Sequence, residues 1–345
     1  MARRPRQSAW SRSVQRVLKS MTQTAVRAGK QVIKESLKAQ SLVGAPMGAR
    51  KPMASSPNWT SGMALGAAGP RRYRFFKPPG IRKSQQRPLL VMLHGCGQDA
   101  DALAASSRMN QIAAREGFFV LYPEQDRLSN VQGCWNWYDT RNGRAQAEAY
   151  SIEAAIEQVC LAHNVDRQRI ALAGISAGAG MAALMAILHP ERYRAVAMHS
   201  GIAPGVAHSS TGAVKAMVGK GKVEAPLPPL AADVPVPALL VIHGTADHVV
   251  APANGRDAAR RWAERVGALA DTPRTVQRGT RYAATVTDYR VGRRRVVTLC
   301  EIARLGHAWS GGAAGQPFSD PQGPDASRMI WAFVAKQFAL PATGA

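Results

Sequence analysis

Acidic residues are scarce in this chain. Its 345 residues hold 22 Asp and Glu against 45 Lys and Arg, a formal net charge of +23. A field of that sign draws polyanions such as nucleic acid, anionic lipid or a charged particle surface, or else marks a solvated basic face. The excess is uneven. Residues 1–40 carry ten basic side chains against one acid, Glu35, and Arg290, Arg293, Arg294 and Arg295 form a second cluster. Cysteine is scarce too. Four in a chain this long exclude a disulfide scaffold. The spacing of Cys96, Cys134, Cys160 and Cys300 matches no zinc site. Cys160 and Cys300 sit in apolar segments and read as small core residues. Cys96 and Cys134 sit in loops, where an oxidising compartment would allow a bridge. No apolar run reaches about 18 residues, which excludes a membrane-spanning helix. The N-terminus lacks the apolar stretch of about 7–15 residues that a secretory signal needs, so ordinary secretion is not expected and a cytoplasmic location is the alternative reading.

What is present is a core-forming composition. Hydrophobic residues make up 46% and charged residues only 19%, which excludes wholesale disorder. Residues 9–42 have amphipathic helical character, suited to a surface or a mobile tail. Residues 44–69, rich in Gly, Ala, Ser, Pro and Met, read as a linker. The expected organisation is therefore a basic tail and linker over 1–70, followed by one domain over 71–340.

Within that domain six apolar runs read as strands: 88–93, 118–122, 169–173, 195–198, 238–242 and 296–302. Runs without polar alternation suit strands covered on both faces, as in a parallel sheet. Residues 71–76 suggest an outer strand. Helical patterns fall between them at 100–116, 147–164, 177–189, 253–267 and 324–338, with Asp166 and Pro190 at helix ends. The expected fold class is α/β, a mostly parallel central sheet with helices on both faces in a three-layer sandwich. Residues 203–236, rich in Pro, Gly, Ala and Ser, interrupt the alternation and read as a functional or mobile loop.

The chemistry is carried by Gly174-Ile175-Ser176-Ala177-Gly178, a G-x-S-x-G run directly after one strand and opening a helix of small residues. A sharp strand-to-helix turn exposes the serine oxygen, and the helix N-terminus brings the Ala177 amide to a developing oxyanion. A serine hydroxyl needs a base held by an acid. In chain order these follow as acid, then histidine. Asp247 lies just past the strand 238–242, where open α/β sheets place their sites. His307 is the only histidine after His248 and sits in a Gly-containing loop after the last strand. His243 is the rival base; His94, His163, His189, His199 and His208 stand in the wrong order or place. The turn after the first strand, residues 94–98, supplies a second oxyanion amide, from Cys96 or, as second choice, Gly97. Trp135, Trp137 and Trp309 are candidate substrate-lining rings, or core. No metal or cofactor is implied.

Seven of these runs together resemble the polyhydroxybutyrate depolymerase family of esterases, over about residues 71–338. They are 93–98 (Leu-His-Gly-Cys-Gly-Gln), 122–125 (Tyr-Pro-Glu-Gln), 133–137 (Gly-Cys-Trp-Asn-Trp), 173–178 (Ala-Gly-Ile-Ser-Ala-Gly), 198–201 (Met-His-Ser-Gly), 243–247 (His-Gly-Thr-Ala-Asp) and 306–312 (Gly-His-Ala-Trp-Ser-Gly-Gly). The resemblance implies an α/β-hydrolase fold, ester hydrolysis with Ser176 as nucleophile, Asp247 as acid and His307 as base, and an extracellular location. Poly- or oligo-(3-hydroxybutyrate) is the implied substrate, with feruloyl or acetyl esters on polysaccharide as the alternative. An anionic surface or granule reached through residues 1–40 is a further expected partner; a specific nucleic acid is not. A granule- or polyanion-binding protein on a hydrolase fold, and a peptidase or thioesterase, are the remaining readings.

Overall fold

The computed structural model describes residues 56–66, 69–82, 84–220 and 236–340. By internal contacts the chain divides into Met1–Gly48 and Ala49–Ala345. The first unit, and with it the basic amphipathic segment 1–40, lies outside the described residues. So do residues 221–235 of the expected long loop; its residues 210–217 are helical.

The strands in chain order are β1 (Trp59–Gly66), β2 (Gly69–Phe76), β3 (Arg87–Leu93), β4 (Phe119–Pro123), β5 (Val165–Ile175), β6 (Ala195–His199), β7 (Ala238–Gly244), β8 (Leu269–Ala270), β9 (Arg274–Val276), β10 (Ala284–Val291), β11 (Arg294–Ile302), β12 (Trp309–Ser310) and β13 (Ser319–Asp320). The helices are α1 (Ala100–Ser107), α2 (Met109–Glu116), α3 (Arg144–Ala162), α4 (Ala177–Leu188), α5 (Ser210–Met217), α6 (Ala253–Glu264) and α7 (Ala326–Phe338). The main sheet runs β1-β2-β4-β3-β5-β6-β7-β11-β10-β8, with β9 also on β10.

Its centre, from β4 to β11, is parallel throughout. All six apolar runs of the sequence lie there. The flanks are antiparallel: β1 and β2 on one side, β8, β9 and β10 on the other. The sheet is thus mixed. The expectation of parallel strands holds for its centre and is corrected at both flanks. The pleat explains the unbroken apolar runs. Leu89, Val91 and Leu93 join one core with α3, α4 and α6, while Leu90 and Met92 join the other with α1, α2 and α7. Each such fully buried side chain contributes about 1.5–3 kcal/mol by leaving water.

Three boundaries move. Residues 59–66, expected in the linker, form β1 paired along its whole length with β2. Only Trp59 and Ala64 of β1 are buried, so an edge strand of Gly, Ser and Ala has the composition of a linker. The helical pattern 100–116 is two helices, broken at Arg108 in the left-handed region at φ 56°. Asp166, expected at a helix end, lies inside β5, because α3 stops at Ala162.

Candidate active site

The parallel register delivers the candidate residues to one end of the sheet. Leu93 pairs with Gly174, Ile175 with His199, His199 with Ile242, and Ile302 with Gly244. The loops after β3, β5, β7 and β11 therefore leave the same edge, at the strand C-termini where such sheets bind ligands.

Ser176 sits in the turn between β5 and α4 at φ 57°, ψ −122°, a region non-glycine residues avoid. Two close approaches hold it there. A Cβ on Gly174 would lie 2.4 Å from the Gly178 backbone, and one on Gly178 would lie 2.2 Å from the Leu93 carbonyl. Only glycine lets strand, turn and helix meet so tightly. The Ser176 amide donates to the His199 carbonyl at 2.9 Å. Its hydroxyl does not cap α4.

Asp247 is held from both sides. Its Oδ1 accepts the Val249 and Val250 amides at 3.0 and 2.8 Å. Its Oδ2 lies 2.8 Å from His307 Nδ1 and 3.5 Å from His243 Nε2. Burial raises its pKa, but the hydrogen bond and charge of His307, the charge of His243 and the Val250 amide outweigh that and leave it below the ordinary carboxylate value. Asp247 is thus ionised at neutral pH, and Nδ1 of His307 carries the proton it accepts.

The rival base separates from His307 on geometry. His243 is 1% exposed, its Nε2 faces the Val250 carbonyl at 2.9 Å, and its Nδ1 is buried without a partner against Gly255. His307 keeps an 11% exposed side chain, and its Nε2 is the nitrogen turned from Asp247.

The turn after β3 is braced from below. His94 Nε2 accepts the Gln125 amide at 3.1 Å, the His94 carbonyl accepts Trp135 Nε1 at 3.1 Å, and Gly95 lies against Ser176, its absent Cβ 3.4 Å from the serine Cβ. The Gly97 amide donates to the Gln132 carbonyl at 2.8 Å, which removes the second-choice oxyanion donor. The Cys96 and Ala177 amides have no such partner among the described residues. Cys96 and Cys134 form a disulfide, tying this turn to the loop after β4.

The three tryptophans are buried. Trp135 packs under Arg71 and Trp309 stacks on His199 while donating to Ser327 Oγ at 3.1 Å; Trp137 covers Gly180 in the first turn of α4. Their burial favours core over substrate lining, the two readings the sequence leaves open. His199, set aside by chain order, is the residue sequence reasoning missed. Its carbonyl holds Ser176, its Nε2 accepts the Ser310 amide at 3.1 Å, and its ring backs the His307 loop. Its position at the end of β6, in the run 198–201, was the available signal. Among the described residues no group of three or more His, Cys, Asp or Glu side chains is placed to hold a metal ion, and no helix is long and apolar enough to cross a membrane.

Burial pushes the pKa of His94 down to about 4 and that of His199 to about 3. Below pH 6.5 the unfolded imidazoles take up protons that the folded ones refuse, so both destabilise the fold as pH falls toward those values. Burial of Glu153 raises its carboxyl to about 7 and acts in the opposite sense, offsetting one histidine. Burial lowers His243 in the same sense, so stability is expected to fall between pH 6 and 5, and more steeply in Glu153→Gln. Urea unfolding at several pH values checks this; a flat or rising profile contradicts it.

Residues 71–283 match the family described as Esterase PHB depolymerase. The chain belongs to that family. It is 33% identical over 193 residues to poly(3-hydroxyalkanoate) depolymerase C of Paucimonas lemoignei, covering 54% of this chain and 46% of that one, so it spans about half the length of that relative. It is 25% identical over 226 residues to feruloyl esterase B of Neurospora crassa, covering 61% and 73%. Among solved structures, acetyl xylan esterase from Aspergillus awamori superposes with a TM-score of 0.63 at 18% identity, covering 81% of this chain and all of that one; that likeness bears on the fold alone.

Proposed function

We propose that this Esterase PHB depolymerase family member is a serine carboxylic ester hydrolase acting on poly- or oligo-(3-hydroxybutyrate). The observation that carries the reading is a serine held at positive φ whose hydroxyl has no hydrogen bond among the described residues, at the same sheet edge as a histidine fixed by a buried aspartate. His307 Nε2 takes the Ser176 proton as Oγ attacks the ester carbonyl. The imidazolium is stabilised by Asp247. The amides of Ala177 and Cys96 hold the oxyanion. The tetrahedral adduct collapses, His307 returns the proton to the leaving alcohol, and an acyl-Ser176 remains. Water, deprotonated by His307, releases the acid and restores the serine. Residues 71–340 together with β1 form the catalytic unit. The Cys96–Cys134 bridge supports an extracellular or otherwise oxidising compartment.

The test of substrate is release of 3-hydroxybutyrate from soluble oligomers, against release of ferulate or acetate from polysaccharide esters. Preference for the oligomers is expected. Activity on the sugar esters alone would move the chain to the feruloyl or acetyl reading, which the feruloyl esterase relative favours.

The bridge also makes a prediction. Cys134→Ser should lower kcat about tenfold to hundredfold with KM little changed, because the Cys96 turn loses its covalent tie to the loop after β4 and keeps only the Gly97–Gln132 hydrogen bond, and one oxyanion donor is worth about 10²–10³. Initial rates with and without a thiol reductant report the same dependence; unchanged kcat would separate the bridge from placement of the amide.

A further inference from the structure

The loop after β4 inverts the usual arrangement of a surface turn. Its polar side chains build it: Asp126 Oδ1 accepts the Leu128 amide at 2.9 Å, Asn130 Oδ1 accepts the Gln132 amide at 3.1 Å, and Asn130 Nδ2 donates to Asn136 Oδ1 at 3.0 Å. Its backbone closes on itself through Ser129 and Asn130 to the Asp126 carbonyl and Gly133 to that of Asn130. Arg144 holds the Ser129 carbonyl. The apolar side chains point outward instead, Leu128 at 95% and Val131 at 87% exposure. Scattered apolar residues on a surface are ordinary. Here two stand within four residues on a turn whose Asp126 and Asn130 side chains are spent inside it, with Arg127 and Gln132 exposed beside them. That turn is also joined to the candidate oxyanion turn through the Gly97–Gln132 hydrogen bond and the Cys96–Cys134 bridge.

We propose that Leu128 and Val131 are an anchor that seats the active-site edge on the apolar surface of a solid polyester. The inference rests on the polyester reading above. An apolar tip gains by leaving water against a hydrocarbon-rich solid and gains little against a hydrated polysaccharide. Because the tip is braced to the turn beside Ser176, adsorption through it presents the serine to chain segments at that surface. Being outside the catalytic set, it leaves cleavage of dissolved esters untouched.

The experiment measures adsorption to amorphous poly(3-hydroxybutyrate) particles in the Ser176→Ala background, so that no particle is consumed. Adding Leu128→Ser and Val131→Ser should weaken adsorption at least about tenfold. Adding Leu65→Ser and Leu269→Ser, two comparably bare positions on β1 and β8, should leave it unchanged. With Ser176 intact, the Leu128→Ser/Val131→Ser protein should hydrolyse soluble oligomers like wild type and particles at least about tenfold more slowly. Undiminished adsorption, an equal loss from the β1 and β8 changes, or an equal loss on soluble oligomers would each overturn the anchor. Failure of wild type to cleave soluble oligomers would overturn the polyester reading instead, and is read independently of adsorption.

Discussion

Ser176→Ala is expected to lower kcat for ester hydrolysis by on the order of 10⁵–10⁶, with the fold intact. The size follows from the site being a unit. On the proposed mechanism, without Oγ there is no acyl-enzyme, and His307, held by Asp247, has no serine proton to take. What remains is binding and the oxyanion amides acting on water, worth about 10³–10⁴ over the uncatalysed reaction. The fold survives because the turn is held by backbone: the Ser176 amide on His199 and the glycine contacts at 174 and 178. Alanine also relieves nothing, since the positive φ strains any residue with a Cβ. Circular dichroism and thermal unfolding should match wild type while turnover disappears.

Asp247→Asn is expected to lower kcat by about 10⁴, through the wrong tautomer rather than lost structure. The Val249 and Val250 amides already specify which atom faces them. The carbonyl oxygen of the substituted side chain must take that place, which turns its NH₂ toward His307 Nδ1. Nδ1 then accepts, the ring proton moves to Nε2, and the base can no longer receive the Ser176 proton. His243 cannot substitute as acid or base, because its Nε2 is bound to Val250 and the ring is enclosed. Ring-nitrogen NMR of His307 should show the proton exchanged between nitrogens. An Asp247→Asn enzyme with near-wild-type kcat would remove Asp247 from the mechanism.

The sheet centre and the elbow were legible because their signals are local. A strand covered on both faces must be apolar at every position, and G-x-S-x-G between a strand and a small-residue helix needs only its neighbours. Asp247 and His307 are proposed from order and from their places just past strands, and the structure sets His307 Nδ1 2.8 Å from Asp247 Oδ2. Of the antiparallel flanks only β2 was legible, as the outer strand over 71–76. The strands β1, β8 and β9 are short or half-exposed, so their residues carry no two-sided apolar run. The break at Arg108 depends on that side chain reaching the Gly311 carbonyl and Asp325, more than 200 residues away. Trp135 and Trp309 stay open between substrate lining and core because a ring beside a site can line it or lie beneath it, and their partners, the His94 carbonyl and Ser327, lie too far off in sequence to be read there. The choice between Cys96 and Gly97 rested on a hydrogen bond to Gln132 that no motif encodes.

The most direct test of the central claim is covalent labelling with a fluorophosphonate, followed by peptide mapping. The account predicts one adduct per chain, on Ser176, absent in Ser176→Ala and formed far more slowly in His307→Ala. An adduct on another residue, or none on a protein that still cleaves esters, would contradict Ser176 as the nucleophile.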